Sequence, residues 1–407
     1  MRRPHLRALA LAAVAGGLAL WLVACGGGAS DATPAPDGVD AVVSKLPEGG
    51  APPGPAGGAK LDCGGHGCGV KQIALGIIAG CALLEDKTVA CYGGGIVGTL
   101  GHAAGDRPEI DPVPKRVPNL KNVAKIFGGG YSMCALLEDK TIACWGPDQS
   151  KGPYGARPSD FFVVEGLANV VELAVAISHT CAIVQGGDVY CFGSNYFGEL
   201  GDGSLDNANK PVKAATISGA KAIATGAELS CAVVANGSVS CWGLNDQGQL
   251  GQGDMDKLIH PMPVTVPGLD GPAKSIAASS VSGAVCALFE SGKTKCWGEK
   301  LAGDTGTSGG SYLAVGGNHA CALDGSGAVS CWGANNKGQL GNASNTPVTA
   351  PASAVGLTGA IGLSAGGNSS CAVFASGAFS CWGDDSRGQL GGGQIGAIAP
   401  SPLQKHF

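Results

Sequence analysis

The sequence has little positive charge, and that charge is thinly spread. Its 407 residues contain 26 Lys and Arg against 31 Asp and Glu, which gives a formal net charge of −5. Residues 1–24 carry three arginines and no acid, so the chain without them has a net charge of about −8. Because clustered Lys and Arg supply most of the affinity for phosphate backbones, nucleic acid is not an expected partner.

No apolar run is long enough for an ordinary membrane span. The run 9–24 has 16 residues after a basic start, whereas a spanning helix needs about 20. A short spanning helix is the alternative, but charge and length match a secretory signal. The run ends in Leu-Val-Ala-Cys at 22–25 before three glycines, which resembles a bacterial lipobox. The resemblance implies that residues 1–24 are a signal peptide and that Cys25 is lipidated.

Large apolar side chains are scarce in the stretch that follows. Residues 25–60 are mostly Gly, Ala, Pro, Asp and Ser after the cysteine, and such a composition cannot offset the entropy of ordering by burial. We therefore expect a flexible tether between a lipidated Cys25 and a domain spanning 61–407. The expected location is the cell envelope, anchored by lipid alone, either in the periplasm or at the surface.

No local catalytic signature is present. Neither a nucleophile elbow nor a metalloprotease helix occurs. The Gly-Lys-Thr at 292–294 lacks the upstream glycine of a phosphate loop, since Ala287 stands in its place. His179 and His319 recur at one repeat position, which predicts a structural hydrogen bond for both.

Metal-binding patterns are incomplete, and we expect no cofactor. Cys63, His66 and Cys68 supply at most three ligands, fewer than the four of a structural zinc site. A disulfide between Cys63 and Cys68 is the favoured interpretation and zinc the alternative. Oxygen ligands for calcium alternate at Asp202, Ser204 and Asp206, but the glycine and distal glutamate of an EF-hand loop are missing. They form a weak calcium candidate.

One unit recurs seven times: a cysteine, a second cysteine ten positions later, an aromatic residue and a glycine. Between the cysteines lie short β-prone runs around turns such as Asn236-Gly237, which predict a β-hairpin. Positions i and i+10 then face each other on antiparallel strands at about 4.5 to 5.5 Å between Cα atoms, a separation that a disulfide can bridge. The expected pairs are Cys81 with Cys91, Cys134 with Cys144, Cys181 with Cys191, Cys231 with Cys241, Cys286 with Cys296, Cys321 with Cys331, and Cys371 with Cys381.

The seventeen cysteines are fully used by this scheme. Seven hairpin pairs, the pair Cys63 and Cys68, and the single Cys25 account for all of them. A complete set of disulfides is typical of an oxidising compartment.

Each hairpin belongs to a longer unit with four predicted strands. An apolar segment ending in glycine precedes the hairpin. The loop that follows it often contains Gly-Gln-Leu-Gly (248–251, 338–341, 388–391) or a variant (98–101, 198–201), and a Pro-led segment comes next; the fifth unit lacks both the loop motif and the Pro-led segment. Successive first cysteines are 53, 47, 50, 55, 35 and 50 residues apart, and a four-stranded repeat of about 50 residues indicates a propeller blade. The prediction is an all-β, seven-bladed β-propeller whose fifth blade lacks most of its outer edge.

The repeat is similar to the regulator of chromosome condensation repeat. The motifs that carry the resemblance are His-x-Cys-Ala-Leu at 319–323, Cys-Trp-Gly at 331–333 and Gly-Gln-Leu-Gly at 338–341. The resemblance covers about residues 70–407 and implies a seven-bladed propeller whose first strands line the central channel. It implies little about function, because this propeller serves as an exchange factor, an inhibitory protein and a receptor scaffold.

Three functions are compatible with the sequence. The favoured one is a non-enzymatic, monomeric scaffold that binds an envelope or extracellular protein or a surface polymer. The second is an extracytoplasmic lyase or hydrolase with an axial site, which converging His, Asp, Glu or Arg side chains at the axis would favour. The weakest is guanine nucleotide exchange, by analogy with the family.

Binding residues are expected in the longest loops, 194–210 and 244–262, because loops on a rigid scaffold carry most binding residues. These loops follow each aromatic-Gly pair and should share a face with the turns after the first strands, opposite the hairpin tips. The alternative is that the Tyr, Phe and Met side chains pack under their own loops. The candidates are Tyr154, Tyr196, Phe197, Asp246, Gln247 and Met255.

Overall fold

The computed structural model describes residues 68–95, 98–102, 109–147, 149, 161–253, 255–299, 301, 303–304, 307, 309–405 and 407. These residues form seven four-stranded antiparallel sheets, arranged as a seven-bladed β-propeller. The predicted fold class is confirmed. Within the described ranges, no helix has the length and apolar character needed to cross a membrane. The predictions for 1–24, the tether 25–60, Cys63, His66 and Tyr154 fall outside the described residues.

Every blade runs from an inner strand to an outer strand in chain order. Blades 1 and 2 contain β1 (Val70–Leu75), β2 (Ala79–Leu84), β3 (Val89–Gly95), β4 (Glu109–Arg116), β5 (Val123–Gly129), β6 (Ser132–Leu137), β7 (Ile142–Trp145) and β8 (Phe162–Val163). Blades 3 and 4 contain β9 (Val170–Val175), β10 (His179–Val184), β11 (Val189–Gly193), β12 (Ala208–Lys213), β13 (Ala220–Thr225), β14 (Leu229–Val234), β15 (Val239–Leu244) and β16 (Ile259–Thr265). Blade 5 contains β17 (Ala273–Ala278), β18 (Val285–Phe289), β19 (Thr294–Trp297) and β20 (Gly303–Asp304). Blades 6 and 7 contain β21 (Gly310–Val315), β22 (His319–Asp324), β23 (Val329–Gly333), β24 (Val348–Ser353), β25 (Ala360–Gly366), β26 (Ser369–Phe374), β27 (Phe379–Asp384) and β28 (Ile398–Lys405).

The seven ten-spaced cysteine pairs are disulfides within the central hairpins, as predicted. The bonds join Cys81 with Cys91, Cys134 with Cys144, Cys181 with Cys191, Cys231 with Cys241, Cys286 with Cys296, Cys321 with Cys331, and Cys371 with Cys381. In each blade the two cysteines are directly opposed on the second and third strands. All fourteen are buried, with at most 4% exposure, so the disulfides are part of the blade core. Cys68 is also disulfide-bonded.

The cysteine backbones lie closer together than the sequence predicts. The Cα atoms of each pair are 4.0–4.1 Å apart, below the expected range of about 4.5 to 5.5 Å. Directly opposed residues outside the hydrogen-bonded pairs make the closest approach in an antiparallel ladder. The cysteines therefore occupy the position in the ladder where the two strands come nearest.

Two blades have outer strands of only two residues. In blade 5 this strand is β20, as the short repeat interval predicts, and it pairs only with Lys295 and Cys296. Leu301 is buried in the same apolar cluster as the blade 6 residue Trp332. Blade 2 also ends in a two-residue strand, β8. The sequence did not predict the second case, because its repeat interval is close to normal.

Neighbouring blades are joined by an aromatic side chain that packs on a glycine. Trp242 of blade 4 lies against Gly201 of blade 3, where an added Cβ would come within 2.6 Å of the indole nitrogen. Its Nε1 donates a hydrogen bond of 2.7 Å to the carbonyl oxygen of Glu199. The same packing recurs between Gly101 and Trp145, Gly251 and Trp297, and Gly341 and Trp382.

The last blade closes on the first by the same contact. Tyr92 takes the place of the tryptophan and packs on Gly391 of blade 7. Phe407 lies between the blades, with ring centroids 5.7 Å from Tyr92 and 4.7 Å from Phe379. A backbone hydrogen bond of 2.9 Å from Val70 N to Gly377 O completes the closure.

Blades 4 and 6 offer a matched pair of tryptophans for testing this contact. Trp332 is nearly as buried as Trp242, but its Nε1 finds no acceptor among the described residues, since the sequence of blade 5 lacks the Gly-Gln-Leu-Gly loop. Both tryptophans lose similar volume when replaced by phenylalanine, and only Trp242 loses a hydrogen bond. We expect Trp242→Phe to lower the free energy of unfolding by about 1 to 2 kcal/mol more than Trp332→Phe. Denaturant unfolding of both variants measures the difference, and equal losses would contradict the assigned hydrogen bond.

Candidate functional site

The loops and the hairpin tips lie on opposite faces of the propeller, as predicted. The residue after the third strand hydrogen-bonds to the turn after the first strand, as in Ser194 N to Ser178 O at 2.8 Å. At the other end, the tip residue Glu85 donates its N–H to Gly69 O, before the first strand, at 2.9 Å. We call the side that carries 194–210 and 244–262 the loop face and the opposite side the tip face.

Each long loop is built on one buried polar side chain. Asn195 is fully buried, and its Oδ1 accepts the backbone N–H of Leu200 at 2.9 Å. Its Nδ2 donates to the carbonyl oxygen of Ser204 at 3.1 Å. Asn245, Asn335 and Asp385 accept the equivalent leucine N–H at 3.0–3.1 Å. These bonds fix the loop backbone on the rigid blade.

An apolar cluster is exposed on the loops and outer rim of blades 3 and 4. It contains six of the fifteen large hydrophobic side chains found exposed, a high share for two blades. The two loops meet, because a Cβ added to Gly203 of blade 3 would lie 3.7 Å from the Met262 side chain of blade 4. We define the blade 3–4 patch as Tyr196, Leu205, Met255, Leu258, Ile259 and Met262.

Met255 lies beside an anchored residue and yet is exposed itself. The Oδ2 of Asp256 is 2.7 Å from the Nε2 of His260, and its Oδ1 accepts a hydrogen bond of 3.1 Å from Asn245 Nδ2. Against the opposing effect of burial, hydrogen bonds from the Leu258 N–H, His260 and Asn245 hold the pKa of Asp256 below its ordinary value. Met255 is 67% exposed and Tyr196 is 57% exposed. The alternative that these two side chains pack under their own loops is wrong.

The other candidate residues support the loops. Phe197 is half-buried, and its N–H donates to Glu199 Oε2 at 2.8 Å. Asp246 Oδ1 accepts from Gln249 Nε2 at 3.2 Å. Gln247 donates its backbone N–H to Gln249 Oε1 at 2.7 Å, and its own Oε1 is buried without a partner among the described residues. Tyr196 and Met255 are therefore the candidates most available to a partner.

The boundary between blades 3 and 4 contains a buried acid that sequence reasoning missed. Glu199 is 1% exposed, and it occupies the position that Gln249, Gln339 and Gln389 fill in other blades. Burial, together with the charge of nearby Glu228, raises its pKa from 4.5 to about 8. In the sequence, this acid is visible only as Gly-Glu-Leu-Gly at 198–201, where other units have Gly-Gln-Leu-Gly.

The two recurring histidines make structural hydrogen bonds, as predicted. His179 Nε2 is 2.8 Å from Ser230 Oγ, and Ser230 donates to the carbonyl oxygen of Glu199 at 2.9 Å. His319 makes the same bond to Ser370 at 2.7 Å. Burial lowers the pKa of His179 to about 3 and that of His319 to about 4. Both rings are thus neutral at ordinary pH.

The seven inner strands that the structure describes contain no His, Asp or Arg and only one acid, Glu172. That carboxylate is 2.8 Å from Lys125 Nζ on the neighbouring strand. Gln72 exchanges two hydrogen bonds with the backbone of Ile126, at 2.7 and 3.0 Å. On the described inner strands, Glu172 is thus the single residue among the His, Asp, Glu and Arg side chains that would favour an axial enzyme site.

The calcium candidate is a hydrogen-bonded turn. Asp202 Oδ1 accepts both the N–H and the hydroxyl of Ser204 at 2.9 Å, and Asp206 donates its N–H to Ser204 Oγ. Such bonds are ordinary turn chemistry. Among the residues that the structure describes, no three or more His, Cys, Asp or Glu side chains are grouped closely enough to hold a metal ion.

A cleft of about 200 Å³ lies between blades 2 and 3. Gln149 closes one side, donating to Ala176 O at 3.0 Å and accepting from Thr180 Oγ1 at 2.9 Å. The apolar walls include Trp145, Phe162 and Phe192.

Comparison with known protein families agrees with the blade architecture. Two family models, both described as the regulator of chromosome condensation (RCC1) repeat, match the chain. One matches residues 186–233, 236–285 and 326–373, and the other matches 171–199, 220–249 and 311–339. These segments fall in blades 3 to 7.

Curated relatives match over part of the chain. The human E3 ubiquitin-protein ligase HERC2 is 30% identical over 150 residues, which cover 34% of this chain and 3% of that protein. The ultraviolet-B receptor UVR8 of Arabidopsis thaliana is 28% identical over 172 residues, covering 39% of this chain and 38% of the receptor. This chain therefore spans well under half of either relative.

Solved structures show the same fold at low identity. Human WBSCR16 superposes with a TM-score of 0.62 at 18% identity, covering 73% of this chain and 85% of its own. Yeast RCC1 (Prp20), solved bound to Kap60, gives a TM-score of 0.50 at 19% identity, covering 82% and 74%. With seven four-stranded blades and repeat models that match part of the chain, the protein is a β-propeller that contains regulator of chromosome condensation repeats.

Proposed function

We propose that this protein is a lipid-anchored scaffold of the cell envelope that binds a partner protein through the blade 3–4 patch and performs no catalysis. The observation that carries the proposal is the set of six exposed large apolar side chains on the adjoining loops and outer strand of blades 3 and 4. Exposed apolar groups gathered in one place on a soluble domain mark interaction sites more often than chance exposure.

The loops that carry the patch are already fixed, so a partner that binds there would lose little free energy to ordering the loop backbone. Tyr196 follows the fully buried Asn195, and Met255 precedes the anchored Asp256. A side chain carried on a fixed backbone loses less entropy when it is buried by a partner. Aromatic side chains and methionine are also enriched at the centres of protein interfaces.

The charged residues around the patch are mostly acidic, which favours a basic partner. Asp202, Asp206, Asp246 and Asp256 lie in the two loops, against Lys210 and Lys257. The chain without residues 1–24 is also acidic. The partner that fits is a protein with an apolar centre and basic residues around it, because complementary charge speeds and orients association.

Location in the envelope is supported by the sequence pattern ending at Cys25 and by the disulfides. Seven disulfides in one domain favour an oxidising compartment. Export would separate the protein from cytosolic nucleotides, which argues against nucleotide exchange. The inner strands, with a single acid paired to Lys125, argue against an axial lyase or hydrolase.

The patch is tested with the double variant Tyr196→Ala/Met255→Ala. Both side chains are more than half exposed, so their loss should leave the unfolding temperature nearly unchanged. Loss of two central interface anchors should weaken capture of the envelope partner by about tenfold or more. Pull-down from envelope extracts, with residues 25–60 intact, measures capture.

The matched control changes the tip face. Glu85→Ala/Glu138→Ala removes two side chains at equivalent hairpin tips of blades 1 and 2, and it should leave capture unchanged. If the tip variant abolishes capture and the patch variant does not, the partner binds the tip face and the proposal is wrong.

A further inference from the structure

The side chain of Glu199 accepts the same backbone hydrogen bond as the glutamine at the equivalent position of three other blades, but it lacks the amide donor of glutamine. The side-chain oxygens of Gln249, Gln339 and Gln389 accept the N–H of the residue two positions earlier at 2.7–2.8 Å. Glu199 Oε2 accepts the N–H of Phe197 at 2.8 Å in the same way. A glutamine also has an amide that donates, as Gln339 Nε2 does to Asn368 Oδ1 at 3.4 Å. The carboxyl group of Glu199 can donate at that position only when it is protonated.

The residue that corresponds to Asn368 at this boundary is Glu228. Both lie three residues before the first cysteine of their hairpins, and Glu228 acts electrostatically on Glu199. The other titratable group against this site is His179, which is fully buried and neutral and reaches Glu199 through Ser230. Within the described part of the chain, the groups that shift the pKa of Glu199 include no cation. An ionised Glu199 would therefore meet the like charge of Glu228, offset only by the N–H groups of Phe197 and of its own backbone and by no cation.

The backbone of Glu199 also holds the two blades together. Its carbonyl oxygen accepts hydrogen bonds from Trp242 Nε1 and Ser230 Oγ, both in blade 4. Its side chain fixes Phe197, next to Tyr196 of the blade 3–4 patch. A displacement of Glu199 would thus move the patch and weaken the blade boundary at once.

We propose that Glu199 is a protonation switch: the protonated carboxyl group faces Glu228 without repulsion and fixes the loop that carries Tyr196, and loss of its proton to solvent loosens that loop. In its consequence for binding, this inference rests on the proposed function, since capture through the patch should weaken when the loop loosens.

The direction of the pH dependence follows from the raised pKa. In the folded protein the pKa of Glu199 is about 8 instead of 4.5, so the folded state binds a proton that the unfolded state has released. The stabilising effect of that proton is complete below about pH 4.5 and is lost as the pH rises through about 8. The loop should therefore be ordered at about pH 6 and loosened at about pH 9.5.

Hydrogen exchange of the partner-free protein tests the switch. We expect protection of the Phe197 and Leu200 amides, corrected for intrinsic exchange rates, to fall by about tenfold or more between about pH 6 and about pH 9.5. In Glu199→Gln it should not change, because glutamine donates at both pH values. In Glu228→Gln the transition should move to lower pH. The equivalent amide of Leu340 in blade 6, where Gln339 stands, is an internal control that should not respond.

Two results would overturn the switch: equal protection of Phe197 and Leu200 at both pH values in the parent protein, or an unchanged pH dependence in Glu199→Gln. Because no partner is present, either result leaves the role of Tyr196 and Met255 in capture unaffected. Conversely, a failed capture test leaves the exchange result intact.

Discussion

Replacing Gly129 by alanine is expected to prevent normal closure of the propeller. Gly129 ends the inner strand of blade 2, and a Cβ there would lie 1.6 Å from the carbonyl oxygen of Val175 in blade 3. The obstacle is backbone, which cannot rotate away as a side chain can. Relief requires separating two inner strands, at a cost on the order of 3 to 5 kcal/mol. Thermal unfolding and the yield of folded protein measure the effect.

Gly362→Ala is the matched control for this prediction. Gly362 also lies on an inner strand, but a Cβ there would meet nothing closer than 3.9 Å, at Val373. Its replacement should change stability by less than about 1 kcal/mol, with a gain the expected sign because alanine restricts the unfolded chain. If Gly129→Ala and Gly362→Ala have the same unfolding temperature and the same yield of folded protein, the blades do not approach each other closely at Gly129, and the prediction is contradicted.

Loss of Cys25 is expected to abolish lipid attachment completely. The sulfur of Cys25 and the new amino group at cleavage are the only acylation points that the lipobox resemblance implies. In a bacterial host supplied with an alkyne-labelled fatty acid, the parent protein should incorporate label and Cys25→Ala should not. Mass spectrometry should find the parent beginning at a modified Cys25.

The control for this prediction is residues 26–407 exported behind an ordinary secretory signal. That chain should fractionate with soluble envelope proteins, whereas the parent stays with the membrane, because two or more acyl chains anchor a protein stably. Membrane retention of the unlipidated chain would contradict anchoring by lipid alone.

The fold could be predicted from the sequence because the features that determine it, the cysteine spacing and the repeat length, lie within a single blade. A ten-residue spacing places two cysteines opposite each other across any hairpin with a central turn, as Cys231 and Cys241 show. The 35-residue interval likewise predicts the truncated outer edge of blade 5. The short outer strand of blade 2, Phe162–Val163, could not be predicted in this way. The interval between the first cysteines of blades 2 and 3 is 47 residues, close to the usual repeat length.

The site was less predictable because its features depend on contacts between blades. The loops 194–210 and 244–262 were recognisable by length, but exposure of Tyr196 and Met255 depends on how Asn195 and Asp256 anchor their loops. Glu199 and Glu228 are 29 positions apart, on different blades. Neither residue alone suggests a coupled pair, and only the stacking of blades 3 and 4 brings them together.

The central claim is that the partner binds the blade 3–4 patch, and site-specific photo-crosslinking tests it most directly. A photoreactive residue is placed at Met255 on the loop face or at Glu138 on the tip face, in the full-length protein in its own envelope. We expect the probe at 255 to give one discrete crosslinked species that Tyr196→Ala weakens, and the probe at 138 to give none. A discrete species from 138 with none from 255 would contradict the account.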